Sequence, residues 1–494
     1  MGTKVNSNYE DLLTFTRASE GHALRPVSYG DELVTNGTLD SDTSGWVILN
    51  DSDGGWNSGK VEFGREVGNI DSSLQQTVTV EAGKVYQISF DIASTTGGRL
   101  ELRDAGIQLK ILATTSSGSF QTLYTANDTS LFLGFFSRTE GDLIAIDNIS
   151  VKEVLFDQPD GTLTLFEHPE NVPRVEYDAD GNRLGLLIEE QRTNNITNSE
   201  SCSFVDKSGG TVTASTTPAP YGTSSTVKRI QSSTLNGGGR LQVTILTGGD
   251  NYCSVYVRSR TGADQNLKIT AAGTTGATQV APASGDWVRL GRVASLGAGS
   301  RDMRVLSTGD TIDLDIALPQ VELGSFPTSY IKTTGSTASR SADVAKIEVD
   351  QFGYNQSEGT LVVEWKQSIG AASYVAMLSD GTAANRSFVR QFANGSAYYS
   401  TITNNVAQGD VLTGTVVDNQ SNKIGVVYKY NDAAGVLNGA SAVTDATSLV
   451  PEGVSTLSIG SYTVGSSQYI NGHIKSIQYY PRRLTNAQLQ DLTS

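Results

Sequence analysis

The stretch "GKVYQISFDI", residues 83–92, alternates strictly: Tyr86, Ile88, Phe90 and Ile92 fall on one side, and Gln87, Ser89 and Asp91 on the other. A period of two is what a β-strand with one buried face requires, because successive side chains project to opposite faces of a pleated sheet. The pattern recurs along the chain. In "NYCSVYVRS" (251–259) Cys253, Val255 and Val257 share a face, and in "TIDLDIALPQ" (311–320) so do Ile312, Leu314, Ile316 and Leu318. Further on, "GTLVVEWKQ" (359–367) aligns Leu361, Val363 and Trp365, and "NKIGVVYKYN" (422–431) aligns Ile424, Val426, Tyr428 and Tyr430. Between such runs lie "DSDGG", "TTGG", "NGGG" and "TGGD", which are turn chemistry. The sequence therefore predicts an all-β chain of antiparallel β-sandwiches.

Composition agrees. At 494 residues several cores are expected, and 52 glycines with 18% charged residues suit a turn-rich β protein better than a helical one. A net charge of −16 argues against a nucleic-acid partner, whose phosphates would need neutralising by Lys and Arg. The first residues, "MGTKVNSNYEDLLTF", lack a basic stretch followed by an apolar run, so no secretory signal is expected, and no segment reaches membrane-spanning length. Two cysteines, Cys202 and Cys253, are too few for a disulfide framework and read as small core residues.

No catalytic constellation stands out. The three histidines, His22, His168 and His473, are scattered, and no zinc-protease, P-loop, nucleophile-elbow or dinucleotide motif is present. With 52 acidic residues some carboxylate pair falls close by chance, so such a pair signals nothing. The expectation is a non-enzyme. Sugar binding asks for aromatic faces with amide and carboxylate groups beside them. The candidates are Trp56 with Asp53 and Asn57 in "DGGWNSG", and Tyr398 with Tyr399 near Asn394. Trp46, Trp287 and Trp365 read instead as core or strand residues.

Two regions share an organisation. The first runs from "LVTNGTLDSDTSGW" to "LIAIDNISVKEV", about residues 31–153; the second runs from "NITNSESCSFV" through "GDWVRLGRV" to "IDLDIALPQVELGSFPTSYI". Both resemble jelly-roll modules of the carbohydrate-binding, galactose-binding-like kind, with an opening "NG…GW" and a closing "IDNISV". The resemblance implies a structural calcium, for which Asn36 and Asp147 are candidates in the first module and Asp313 and Asp315 in the second; the alternative is that each is a solvated or hydrogen-bonded surface group. From about residue 350, "EGTLVVEWKQ", "KIGVVYKYNDAAGVLNGAS" and "NGHIKSIQYYPRRLTNAQLQDLTS" resemble a laminin-G-like or concanavalin-A-like sandwich. In its last stretch Thr485 and Gln488 form a capping box that starts a short helix, with Leu489 and Leu492 able to dock on the sandwich.

Three phrases resemble, in order, a pattern of tailed-bacteriophage structural proteins of the tail-fibre or head-fibre type: "TFTRAS" (14–19), "NVPRVEYDADGNRLGLLIEEQRTN" (171–194) and "LPQVELGSFPTSYIKTTGSTASRSADV" (318–344). About 150 residues, 20–170, separate the first phrase from the second, and the first jelly roll fills most of the gap as an inserted domain. The expected division is an attachment segment at 1–30, a jelly roll at 31–153, a connector at 154–196 that pairs with the amino-terminal segment, a second jelly roll at 197–334 and the laminin-G-like sandwich at 335–494. Within the connector, "DADG" (178–181) reads as a hairpin turn and "GLLIEE" as a strand. The resemblance implies a virion protein, made in the host cytoplasm, whose partners are other virion proteins and host surface glycans, and which assembles as a homo-oligomer, a trimer in most fibres. The alternatives are a capsid-decorating or baseplate protein with purely virion contacts, and a cellular polysaccharide-binding protein.

Overall fold

A computed structural model describes residues 9–49, 55–64, 72–104, 107–113, 117–271, 276–367, 372–462 and 468–494. The chain is all-β, built of antiparallel sheets packed as sandwiches, with one short α-helix among the described residues, Asn486–Thr493. By contacts it divides into two compact units, one comprising Met1–Arg25 and Leu163–Ser494, the other Pro26–Thr162.

In the smaller unit Val85–Thr95 lies between Gly118–Thr125 and Ile144–Phe156, placing Tyr86, Ile88, Phe90 and Ile92 in the core as their alternation requires. The facing sheet runs Val47–Leu49, Ser73–Thr79, Ser130–Ser137, Arg99–Asp104 and Ile107–Ala113. Trp46, Phe63, Leu74, Phe135 and Ile146 fill the space between the sheets. Each such side chain removed from water contributes about 1.5–3 kcal/mol.

The larger unit holds two sandwiches. The first repeats the topology just described: Val205–Lys207, Gly238–Ile245, Gly299–Ser307, Gln265–Ala271 and Thr278–Ala281 form one sheet in the same order. Opposite it lie Thr211–Ala214, Lys228–Ser232, Ile312–Leu323, Gly249–Ser259 and Val288–Leu296. The internal likeness of the two regions is thus a likeness of strand order. Cys202 and Cys253 are free, buried in this core, and pushed up to about 12 by that burial.

The second sandwich draws on distant parts of the chain. One seven-stranded sheet runs Thr14–Thr16, Val344–Glu348, Thr456–Ile459, Ser373–Ser379, Arg386–Gln391, Ser396–Thr403 and Val406–Thr415; the other runs Val175–Tyr177, Arg183–Ile188, Gly472–Tyr480, Glu358–Lys366, Ser421–Lys429, Ala433–Leu437 and Val443–Asp445. The segment 171–194 is therefore a sheet component: Leu186–Ile188 pairs with Gly472–Ile474, and the "DADG" turn closes with Gly181 at a φ of +80° and the Asp178 carboxylate accepting from the Asp180 and Asn182 amides. The strand at "TFT" pairs with Val344–Lys346, while Arg17 just beyond it reaches the connector, donating to the carbonyls of His168, Pro169 and Val172. Trp365 is fully buried in the core, its indole donating to Gln391 Oε1 at 3.0 Å. The helix Asn486–Thr493 starts with the reciprocal Thr485–Gln488 capping box, and Leu489 is fully buried against Val427, Ala434 and Val436.

The three phrases meet at one buried network. Asp343 lies 3.4 Å from Arg17 Nη1, pairs with Arg174 through its other oxygen, and accepts from the Glu189 amide at 2.8 Å. Glu189 lies 2.9 Å from Arg174 and 3.1 Å from Arg340, and accepts from the Ser329 amide and hydroxyl at 2.7 Å each. Burial alone would raise the Glu189 carboxyl, but Arg340 and Arg174 hold it down at about 2. His168, desolvated beside Arg25, Arg17 and Arg174, is held well below the usual imidazole range and is neutral. "TFTRAS", "NVPR…GLLIE" and "SFPTSYI…RSADV" each supply members of this network.

Candidate functional site

Within the larger unit a cavity of about 310 Å³ opens beside the first sandwich. That volume sits at the small end of ligand cavities, which run about 300–1,000 Å³. Its walls follow from strand alternation. Cys253, Val255 and Val257 turn inward on Gly249–Ser259, so Tyr256 turns out; Arg289 lies directly across from it on the next strand, and Trp287 comes just ahead of that strand. Two residues, Leu318 and Pro319, bulge out where Ser254 and Tyr256 face Gln320 and Ala317, and Leu318 takes a φ of +49°. A bulge of this kind re-aims neighbouring side chains.

Tyr221 forms a third aromatic wall. It sits in the short turn Pro220–Gly222 with φ 49° and ψ 42°, a left-handed conformation that costs a bulky L-residue about 1–2 kcal/mol. Its hydroxyl donates to the Trp287 carbonyl at 3.2 Å, and its ring stands edge-on to Tyr256 with centroids 6.2 Å apart. The opposite wall is the connector hairpin, with Tyr177, Leu184 and Glu176, the last 2.6 Å from His473 Nε2. Arg289 donates to Ser254 Oγ at 3.0 Å and to the Thr328 carbonyl, which fixes its guanidinium. Burial pushes the Tyr256 hydroxyl up to about 12, so it is a neutral hydrogen-bonding group near neutral pH. The result is a slot of half-buried ring faces with a few polar groups at its rim. Among the described residues of its lining Glu176 is the one carboxylate.

The residues proposed from sequence lie elsewhere. Trp56 is 44% exposed, as its loop setting suggested, with its indole donating to the Leu39 carbonyl at 2.6 Å; Asn57 donates to Glu62 at 2.8 Å, and Asp53 lies outside the described residues. Trp46 is a core residue whose indole donates to the Asn36 carbonyl. Tyr399 corrects the sequence reading: it is 3% exposed, packed in the core, whereas Tyr398 projects from the other face. Consecutive strand residues cannot share a face, so the two tyrosines form no joint platform.

Asn36 spends its amide nitrogen on Asp42 and Ser44, and Asp147 accepts from the Asn148 amide, its carboxyl raised by burial and by Asp91 and Asp40 nearby. Among the described residues no three His, Cys, Asp or Glu are grouped to hold a metal ion. Asp313 and Asp315 are occupied by arginines: Arg229 grips Asp313 at 2.7 and 2.6 Å, and Arg260 lies 2.8 Å from Asp315, which is fully buried. Among the described residues no helix is long and apolar enough to cross a membrane.

No protein-family model matches the chain, and no curated protein matches it. Solved structures that resemble it include the sialidase CBM40 module of Ruminococcus gnavus bound to α2,6-sialyllactose, at 16% identity over 28% of this chain and 85% of that one, with a TM-score of 0.25. Domain 4 of an extracellular arabinanase from Geobacillus stearothermophilus, in complex with arabinotriose, is 10% identical over 34% and 82%, with a TM-score of 0.27. A CBM22 tandem from Paenibacillus barcinonensis Xyn10C is 14% identical over 60% and 98%, with a TM-score of 0.21. At that degree of superposition the likeness carries no functional weight for this chain.

Proposed function

We propose that this chain is a non-enzymatic glycan-binding structural protein, a fibre or appendage component of a tailed-phage particle that engages host surface glycans. The observation that carries the binding half is the slot formed by Tyr221, Tyr256 and Trp287, whose ring faces suit the C–H face of a pyranose while Arg289 and Glu176 offer hydrogen bonds at its rim. The strained Tyr221 backbone supports the same reading, because strain of this kind is retained where a side chain must be aimed. The phage setting is supported by the ordered phrases, whose charged residues answer one structural need in a shared network. Assembly as a homo-oligomer with other virion proteins belongs to the same proposal.

The test is a glycan array with the full chain, followed by titration of the best ligand. Trp287→Ala weakens binding tenfold or more, equivalent to about 1.4 kcal/mol, while the thermal transition of the protein persists. Equal binding by wild type and Trp287→Ala overturns the slot as the site. Antibody labelling of intact phage particles locates the protein, and its absence from them overturns the virion assignment.

A further inference from the structure

The outer face of the sheet that contains Ser373–Ser379 carries a feature the slot does not use. In "RSFVRQF" (386–392) Val389 and Gln391 turn toward the core, so Arg386, Phe388, Arg390 and Phe392 line the opposite face. Register completes the array: Tyr374, Arg390, Tyr398 and Leu412 stand side by side across four strands, with Met377, Phe388, Ser400 and the exposed Asp410 in a neighbouring row. A bulge between Tyr374 and Ala376 brings Tyr374 and Met377 to one face although they are three residues apart.

The arginines are held by rings, and Arg386 Nη1 also donates to the Ala383 carbonyl. Arg390 lies 4.6 Å from the Phe392 centroid and 5.3 Å from that of Tyr374; Arg386 lies 5.5 Å from both Phe388 and Tyr462. Phe392 in turn stands edge-on to Tyr398, with centroids 4.9 Å apart. Among the described residues neither arginine has a carboxylate within ion-pair distance, and the Nε of each is buried without a hydrogen-bond partner. Arg17, Arg174, Arg229, Arg260 and Arg340, by contrast, each have an acidic partner.

We propose that this face is a second binding site, for a carboxylate-bearing polysaccharide such as a polyuronate. Charge complementarity selects the occupant: a guanidinium held against rings attracts a carboxylate, which its Nη groups can take by charge-assisted hydrogen bonds. Arg386 and Arg390 are four strand residues apart, about 13 Å, so they meet carboxylates on different units of a polymer rather than one small anion. The half-exposed rings of Phe392 and Tyr398 stand beside Arg390 and offer stacking surface to the sugar ring there, whereas Phe388, between the two arginines, is 8% exposed. An acidic protein supplies the charges but lacks the flat C–H faces.

This site is separate from the slot and goes beyond it, and its test leaves Trp287 untouched so that the two can fail independently. The full chain is titrated with polygalacturonate, with the same polymer methyl-esterified, and with poly-L-glutamate, at two salt concentrations. Polygalacturonate binds, and affinity falls at least tenfold on esterification, on Arg390→Gln and on Tyr398→Ala, and declines with salt. Arg390→Lys recovers part of the loss. Equal binding of the esterified polymer, equal or tighter binding of poly-L-glutamate, no binding of polygalacturonate, or wild-type affinity in folded Arg390→Gln and Tyr398→Ala each overturns the proposal.

Discussion

Replacing Glu189 by Gln removes one negative charge from a buried cluster in which three arginines face two carboxylates, while keeping the shape and one of the two acceptor oxygens used by Ser329. The Glu189 side chain is 5% exposed, and those of Arg174 and Arg340 are 0% and 1% exposed, so water cannot take over the lost pairing. Breaking a buried pair from one side costs about 3–5 kcal/mol. Part of that cost depends on pH. The folded carboxyl titrates at about 2 against an ordinary 4.5, so its contribution is complete above about 4.5 and is lost as pH falls through 2. The depression corresponds to about 3 kcal/mol. The assay is urea unfolding followed by tryptophan fluorescence in a Trp46→Phe, Trp56→Phe background, where Trp287 and Trp365 report on the larger unit alone. The gap between wild type and Glu189→Gln should stand at 3–5 kcal/mol near neutral pH and shrink by about 3 kcal/mol between pH 5 and pH 2. A gap below about 1 kcal/mol, or one that does not change with pH, refutes the reasoning.

Tyr221→Gly separates aim from strain: glycine adopts a positive φ freely, so thermal stability holds or rises by up to about 1 kcal/mol, while affinity for the array-selected glycan falls. A stability loss with unchanged affinity would assign the tyrosine to packing alone. Cys202 and Cys253, buried and with thiols raised to about 12, should resist an aromatic disulfide reagent at pH 8 in the native protein and both react in urea; rapid native labelling would contradict their burial.

The strands were legible because alternation is a local property. Cys253, Val255, Val257, Leu361, Val363 and Trp365 are buried on the faces their spacing assigned, and the capping box at Thr485 forms as its two residues dictate. Pairing was not local. Nothing in "TFT" names Val344–Lys346 as its neighbour, and nothing in "GLLIEE" names Gly472–Ile474. Sites suffered for the same reason. Asp315 alternates outward as expected, yet it is fully buried because Thr217 and Arg260 cover it from distant segments. Trp287 read as a strand residue, but it precedes its strand and reaches the slot. Tyr399 was misplaced by adjacency, which the period of two forbids. One further local signal is Arg386, Phe388, Arg390 and Phe392, which recur at every second position, the spacing of a single sheet face.

The Tyr9 hydroxyl donates to the Ile474 carbonyl at 2.8 Å across 465 residues of sequence. A ribosome adding about 5–20 residues per second takes about 20–90 s to supply that acceptor. For that interval Tyr9 and Phe15 have no finished core to enter, although the bodies made between them can already close. Residues 9–16 are thus among the last parts of their sandwich to settle, waiting until the strand Gly472–Tyr480 has been made.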